Sequence, residues 1–263
     1  MSRLTTDQKI YFTLRLAVAM CFIGHGAFGI ITKPIWCNYF AVFGIGKNDA
    51  YTLMPIVGTI DIMMGISMLV YPTRAIAAWL VVWGIATASM RPLSGEPFAE
   101  FIERAGNFGA PLVLLLVQGG AKIPFKQWFK RMDDQVTISP ASLRTIISCL
   151  KIFAFLLLAG HGWLNFIEKA GLVNQYHALG FANPAKTAQM IGVLEIMAAI
   201  SILIRPYKNL LLVLVIWKVA SELFYPHYEV FEWIERGGSY GVLLALWFAL
   251  KRSPSAVTTF AVN

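Results

Sequence analysis

The sequence predicts an all-α, polytopic membrane protein: eight transmembrane helices forming two parallel four-helix repeats, with pseudo-two-fold symmetry along the membrane normal. Three observations predict it. The 263 residues are 57% hydrophobic and only 14% charged, against the quarter or so of charged residues usual in soluble domains. The apolar residues gather into long runs, most of them near the length needed to cross a bilayer. One short stretch occurs twice, as Gly24-His25-Gly26 and Gly160-His161-Gly162, each time followed by the same landmarks in the same order. Gly58 and Asp61 answer to Gly192 and Glu195, Tyr71-Pro72 to Arg205-Pro206, Trp83 to Trp217, and Glu103-Arg104 to Glu235-Arg236. The spacing between paired landmarks drifts by only a few residues, which marks one duplicated domain and not a solenoid period.

In chain order, a polar start carrying Arg3, Asp7 and Lys9 leads into a first span over residues 10–31. Spans at 51–70, 75–90 and 105–118 complete the first repeat, residues 1–120, with a tight turn at Tyr71-Pro72 and an acidic segment from Arg91 to Arg104. Residues 121–142 form a cytoplasmic linker, in which Lys122, Lys126, Lys130 and Arg131 with Trp128 and Phe129 read as an amphipathic segment for an anionic leaflet. The second repeat, residues 143–263, has spans at 146–166, 185–204, 210–225 and 237–250. Basic residues concentrate in the segments on the side of the termini, which predicts cytoplasmic termini, in a bacterial inner membrane. Four spans per repeat make the two repeats parallel, not inverted.

The net charge of +8 does not indicate nucleic acid, because the basic residues lie in short segments between apolar runs. The lipid bilayer is the expected partner, together with other proteins of a membrane complex. The three cysteines make no CxxC pair and no metal-ligand spacing, and no nucleotide-binding loop or HExxH is present. No metal site is expected.

Ionisable residues inside spans are costly and each requires a reason. Asp61 and Glu195 fall near mid-membrane, as does Lys218, with Glu222 one helical turn beyond it on the same face. His25 and His161 lie at about that depth on the first helices. The expected pairs are Glu195 with Lys218 and Glu222 with His161. Gly84 and Ala88 stand in the first repeat where the second has Lys218 and Glu222. Asp61 therefore has no obvious local cation; it is either protonated or reaches across to Lys218. His161, Glu195, Lys218 and Glu222 form the candidate catalytic set, and His25, Asp61, Arg91 and Tyr225 a ligand or proton path. The bland reading is a set of buried ties that fix helix register. The two histidines have three readings: proton relay, structural residue between close-packing glycines, or metal or haem ligand. Nothing else in the sequence resembles a dedicated haem site. Glu100 with Arg104 and Glu232 with Arg236 have the i, i+4 spacing of helical ion pairs near a helix start.

His25-Gly26, His161-Gly162, Glu195 in Gly192-Val193-Leu194-Glu195, and the turn residues Arg74 and Arg205 resemble the DoxX-like family of four-helix membrane proteins. The likeness covers both halves, as a tandem pair of such units. Members include a subunit type of thiosulfate:quinone oxidoreductase. The resemblance implies a membrane subunit of a redox assembly, with quinone as the cofactor to test. Glutamate is usual where Asp61 stands, and histidine where Arg91 stands. Two other classes compete. One is a structural subunit without chemistry, whose buried charges are all satisfied. The other is a small-solute carrier, which needs a midplane cavity and more than one conformation.

Overall fold

The computed structural model describes residues 4–120, 123–223 and 230–252, and among them the regular structure is helical apart from one β-bridge between Thr73 and Arg131. Twelve helices follow one another: α1 (Thr6–Ile30), α2 (Trp36–Ala41), α3 (Lys47–Val70), α4 (Arg74–Leu93), α5 (Ala99–Glu103), α6 (Ala105–Val117), α7 (Pro140–Phe166), α8 (Ala170–Ala178), α9 (Pro184–Ile204), α10 (Lys208–Leu223), α11 (Val230–Glu235) and α12 (Gly237–Arg252). Five of them, α1, α3, α4, α7 and α9, are long and apolar enough to cross a membrane. The predicted spans at 105–118, 210–225 and 237–250 appear as α6, α10 and α12, of 13, 16 and 16 residues. α6 is shorter than the twenty or so residues that a hydrocarbon core requires, and α10 and α12 are described only as far as residues 223 and 252. Arg104 and Arg236 stand at the breaks between α5 and α6 and between α11 and α12, and the predicted starts at 105 and 237 coincide with those breaks.

The long helices begin where the sequence provides caps. Thr5 and Gln8 close a capping box at the start of α1. Thr73, Ser139 and Asn183 accept from backbone N–H groups at the starts of α4, α7 and α9, and proline occupies the first turn of the last two. Helices α1, α6, α7 and α12 pack on one another at the centre, with α3 on α1, α4 on α6, α9 on α7 and α10 on α12. The outer faces of α3 and α9 carry exposed Ile56, Ile60, Met63, Val70, Met190, Leu194, Met197 and Ile204. Such a surface suits lipid and not water.

The glycines explain how the helices come so close. A Cβ on Gly58 would sit 2.4 Å from the carbonyl oxygen of Gly26, and one on Gly192 would sit 2.5 Å from that of Gly162. The other glycine of each repeated stretch faces a different neighbour. Gly24 lies against the backbone of Glu235, and Gly160 against the backbone of Glu103. The Gly-His-Gly stretch is thus a three-residue joint. One glycine admits the next long helix, the other admits the short helix before the break, and the histidine between them turns to a carboxylate.

Where the first and last described helices begin and end, Arg252 pairs with Asp7 at 2.7 Å, and Asp7 accepts from the backbone N–H of Ile138 at 2.9 Å. The linker is laced across this end. Arg15 reaches the carbonyl of Met68 and the carboxylate of Asp134, and Met132 donates its N–H to the carbonyl of Pro72. Met132 and Ile138 are buried, whereas Phe125 and Phe129 are exposed.

Candidate functional site

Two polar clusters grow from the two histidines, and they differ. In the first half, His25 Nδ1 lies 2.7 Å from Asp61 Oδ2, and the indole N–H of Trp83 donates to Asp61 Oδ1 at 2.7 Å. Asp61 is therefore already partnered. It neither lacks a local donor nor reaches to Lys218, because the histidine one helix away and a tryptophan on α4 take both its oxygens. An Nδ1–H donated to a carboxylate fixes the ring and its tautomer and leaves Nε2 as the working nitrogen. The imidazole also lies against Trp36, with ring centroids 4.8 Å apart.

In the second half, His161 Nδ1 lies 2.5 Å from Glu195 Oε2, and the side-chain amide of Asn165 donates to the same oxygen at 3.2 Å. Tyr176 donates its hydroxyl to Asn165. Lys218 lies 3.8 Å from Glu195 and 3.4 Å from Glu222. The expected Glu195–Lys218 pair is present, but Glu222 does not pair with His161. The imidazole is taken by Glu195, and Glu222 turns to Lys218 and, at 3.8 Å, to Arg236.

The network continues into the helix breaks. Arg236 reaches Glu103 at 2.9 Å, Glu103 meets Arg104 at 2.9 Å, and Arg104 meets Glu100 at 2.7 Å. Glu100 also meets Arg91 at 3.2 Å and pairs with Lys169. Of the two i, i+4 pairs read from the sequence, Glu100–Arg104 forms. Glu232–Arg236 does not, because Arg236 leans across to Glu103 while Glu232 pairs with Lys33. Tyr225 lies outside the described residues.

These acidic groups at the breaks lie outside the spans, and their proton affinities follow from the pairing. Burial pushes Glu103 up, but Arg236 and Arg104 outweigh it and hold the carboxyl well below its usual range. Burial likewise raises Glu100, and Arg104, with Lys169 and Arg91, brings it below its ordinary value against the opposing push of Glu103. Burial opposes Lys33 and Arg236 at Glu232 with the same net result. A carboxyl whose folded value is depressed stabilises the fold at every pH above its unfolded value and loses that contribution as pH falls through the folded value. Thermal unfolding in detergent should therefore show a midpoint that is flat from neutral pH to about 5 and falls below about 4. A midpoint unchanged down to pH 3 would contradict the pairing.

A cavity of about 820 Å³, counting its open mouth, lies at the end of the bundle opposite the Asp7–Arg252 pair. Its wall includes His25, Trp36, Tyr39, Trp83, Arg91 and Glu235. His161, Glu195, Lys218 and Glu222 do not line it. The sequence put the candidate catalytic set in the second half, whereas the cavity opens beside the first histidine. The cause is the pair of small residues on α4. Ala88, at the place of Glu222, lies in the cavity wall, and Gly84, at the place of Lys218, packs on Asn107. The lysine and glutamate side chains that occupy the matching place in the second half are missing from the first. Sequence reasoning passed over Trp36, Tyr39, Glu235 and the indole of Trp83 as site residues. The signal that could have found them is that same substitution of small residues for a lysine and a glutamate.

Among the described residues, no group of three or more His, Cys, Asp or Glu side chains is arranged to hold a metal ion. No family model matches the chain, and no curated protein or solved structure matches it significantly.

Proposed function

We propose that the protein is an integral membrane subunit of a redox assembly, and that its cavity holds the ring of a lipid-soluble quinone. In this reading the chain crosses a bacterial inner membrane eight times, as two DoxX-like halves related by a two-fold axis along the membrane normal. The pairing of Asp7 with Arg252, which puts both ends of the described chain on one side, supports an even number of crossings. So do the matching contacts of Gly24 with Glu235 and Gly160 with Glu103.

One observation carries the functional part: an imidazole held by a buried carboxylate opens on a cavity walled by Trp36, Tyr39, Trp83 and Phe40. Aromatic walls accept a flat ring, and a carboxylate-backed histidine can exchange a hydrogen bond or a proton with a ring oxygen. In the second half His161, Glu195, Lys218 and Glu222 are paired with one another, and none of them lines this cavity.

Titration of the purified protein with a short-chain quinone, followed by tryptophan fluorescence, tests this. Saturable quenching is expected. His25→Ala should weaken binding about tenfold, as the loss of one well-placed hydrogen bond does, and His161→Ala should leave it unchanged. Absence of saturable quenching, or equal losses in the two variants, would overturn the proposal.

A further inference from the structure

The linker between the halves carries an aromatic and basic patch that the cavity does not use. Phe125 and Phe129 are 71% and 62% exposed. Their rings meet edge to face with centroids 5.5 Å apart, and Trp128 lies 6.2 Å from Phe125. Lys126 and Lys130 stand beside them and are exposed as well. An exposed apolar cluster rimmed by like charges marks a surface that meets something other than water.

The patch is fastened to the bundle. The Ala75 N–H donates to the Trp128 carbonyl at 3.1 Å, and the Met132 N–H donates to the Pro72 carbonyl at 2.8 Å. Thr73 and Arg131 form the β-bridge, and Arg74 reaches the Gln127 carbonyl. These bonds tie residues 127–132 to the turn between α3 and α4. The exposed apolar face of α3, with Met63, Ile66, Leu69, Val70 and Tyr71, runs up to that turn and stops there. In a chain that crosses a bilayer, such a face ends where the headgroups begin. The phenylalanines and lysines are therefore held at headgroup level.

The charges select among headgroups. Arg131 pairs with Asp134, which also takes Arg15, and Asp133 accepts the backbone N–H of Gln135. Among the described residues, Lys126 and Lys130 have no ion pair. Two uncommitted ammonium groups at the surface attract a lipid of net negative charge and gain little from a zwitterionic one. We infer that residues 125–130 are a docking surface for anionic phospholipid. Phe125 and Phe129 enter the boundary between headgroups and acyl chains, and Lys126 and Lys130 meet the lipid phosphates. This surface is independent of what the cavity binds.

Native mass spectrometry of the whole protein tests it. The protein is released from micelles holding equal amounts of phosphatidylglycerol and phosphatidylcholine with the same acyl chains, and the retained lipids are counted. Wild type should retain the phosphatidylglycerol in preference. Lys126→Gln with Lys130→Gln should cut that preference by about fivefold per lysine, or about 25-fold for the pair. Phe125→Ser with Phe129→Ser keeps every charge and should still lower phosphatidylglycerol retention, which charge attraction alone would leave unchanged. Lys47→Gln with Lys186→Gln removes the same charge from exposed sites at the starts of α3 and α9, the opposite ends of those helices, and should keep the wild-type preference. Unfolding midpoints check that each variant is folded. No preference in the wild type overturns the inference. So does an unchanged preference in the folded Lys126 and Lys130 variant, unchanged retention in the phenylalanine variant, or an equal loss in the Lys47 and Lys186 variant.

Discussion

Arg236→Met is expected to destabilise the protein by about 3–5 kcal/mol, the cost of removing one partner from a buried ion pair. Arg236 is buried where α11 breaks into α12, and its guanidinium spans Glu103 of the first half and Glu222 of the second. Burial alone would lower its proton affinity, but Glu103, with Glu222, Glu232 and Glu235, outweighs it and holds the charge in place. Methionine matches the volume of the stem but leaves Glu103 with Arg104 alone, and leaves Glu222 with Lys218 alone. Arg131→Met is the control. Arg131 pairs with Asp134 on the surface with half its side chain in solvent, and such pairs contribute about 0–1 kcal/mol. Unfolding midpoints in one detergent compare the two. Adding Glu103→Gln to Arg236→Met should recover part of the loss, since the carboxylate left behind is then neutral. An Arg236 variant as stable as the Arg131 variant would mean that the network does not hold the two halves together.

What was legible in the sequence divides along physical lines. Helix positions were legible because apolar runs, caps and turn prolines are local signals, and each predicted span coincides with a helix. The breaks before α6 and α12 were legible too, since the spans read at 105–118 and 237–250 begin at them, but the short helices α5 and α11 that precede Arg104 and Arg236 were not. In the site, two i, i+4 neighbours were legible, Glu100–Arg104 and Lys218–Glu222, and a third, Glu232–Arg236, gave way to partners on other helices. Between helices Glu195–Lys218 was legible, but the partners of Asp61, His161 and Glu222 were not. Asp61 took Trp83 and His25, and His161 took Glu195 in place of Glu222. Those choices depend on the crossing of α1 on α3 and of α7 on α9. The cavity was hidden for a further reason. It arises from absent side chains at Gly84 and Ala88, and an absence becomes a space only when the neighbouring helices do not collapse onto it.

Gly58→Ala and Gly192→Ala should separate packing from ligand binding. Alanine is favoured over glycine in a helix by about 1 kcal/mol, so propensity alone predicts that both variants are stabilised. Packing predicts the reverse. The added methyl would lie 2.4 Å from the Gly26 carbonyl in one case and 2.5 Å from the Gly162 carbonyl in the other, with backbone and not a movable side chain as the obstacle. Overpacking of this kind costs about 1–3 kcal/mol, occasionally more, because two whole helices must part. Packing therefore outweighs propensity, and both variants should unfold at a lower temperature than wild type. Gly46→Ser, at the start of α3 where nothing lies within 4 Å, is the control and should be neutral or slightly stabilising. The two alanine variants should then diverge in binding. Parting α1 from α3 lengthens the 2.7 Å contact between His25 and Asp61 and loosens the ring that faces the cavity, so Gly58→Ala should weaken quinone binding. Parting α7 from α9 disturbs the cluster around His161 and Glu195, which does not line the cavity, so Gly192→Ala should bind as wild type does. Equal binding losses in the two would show that the cavity responds to global loosening and not to the first histidine, and the first half would lose its claim to the site.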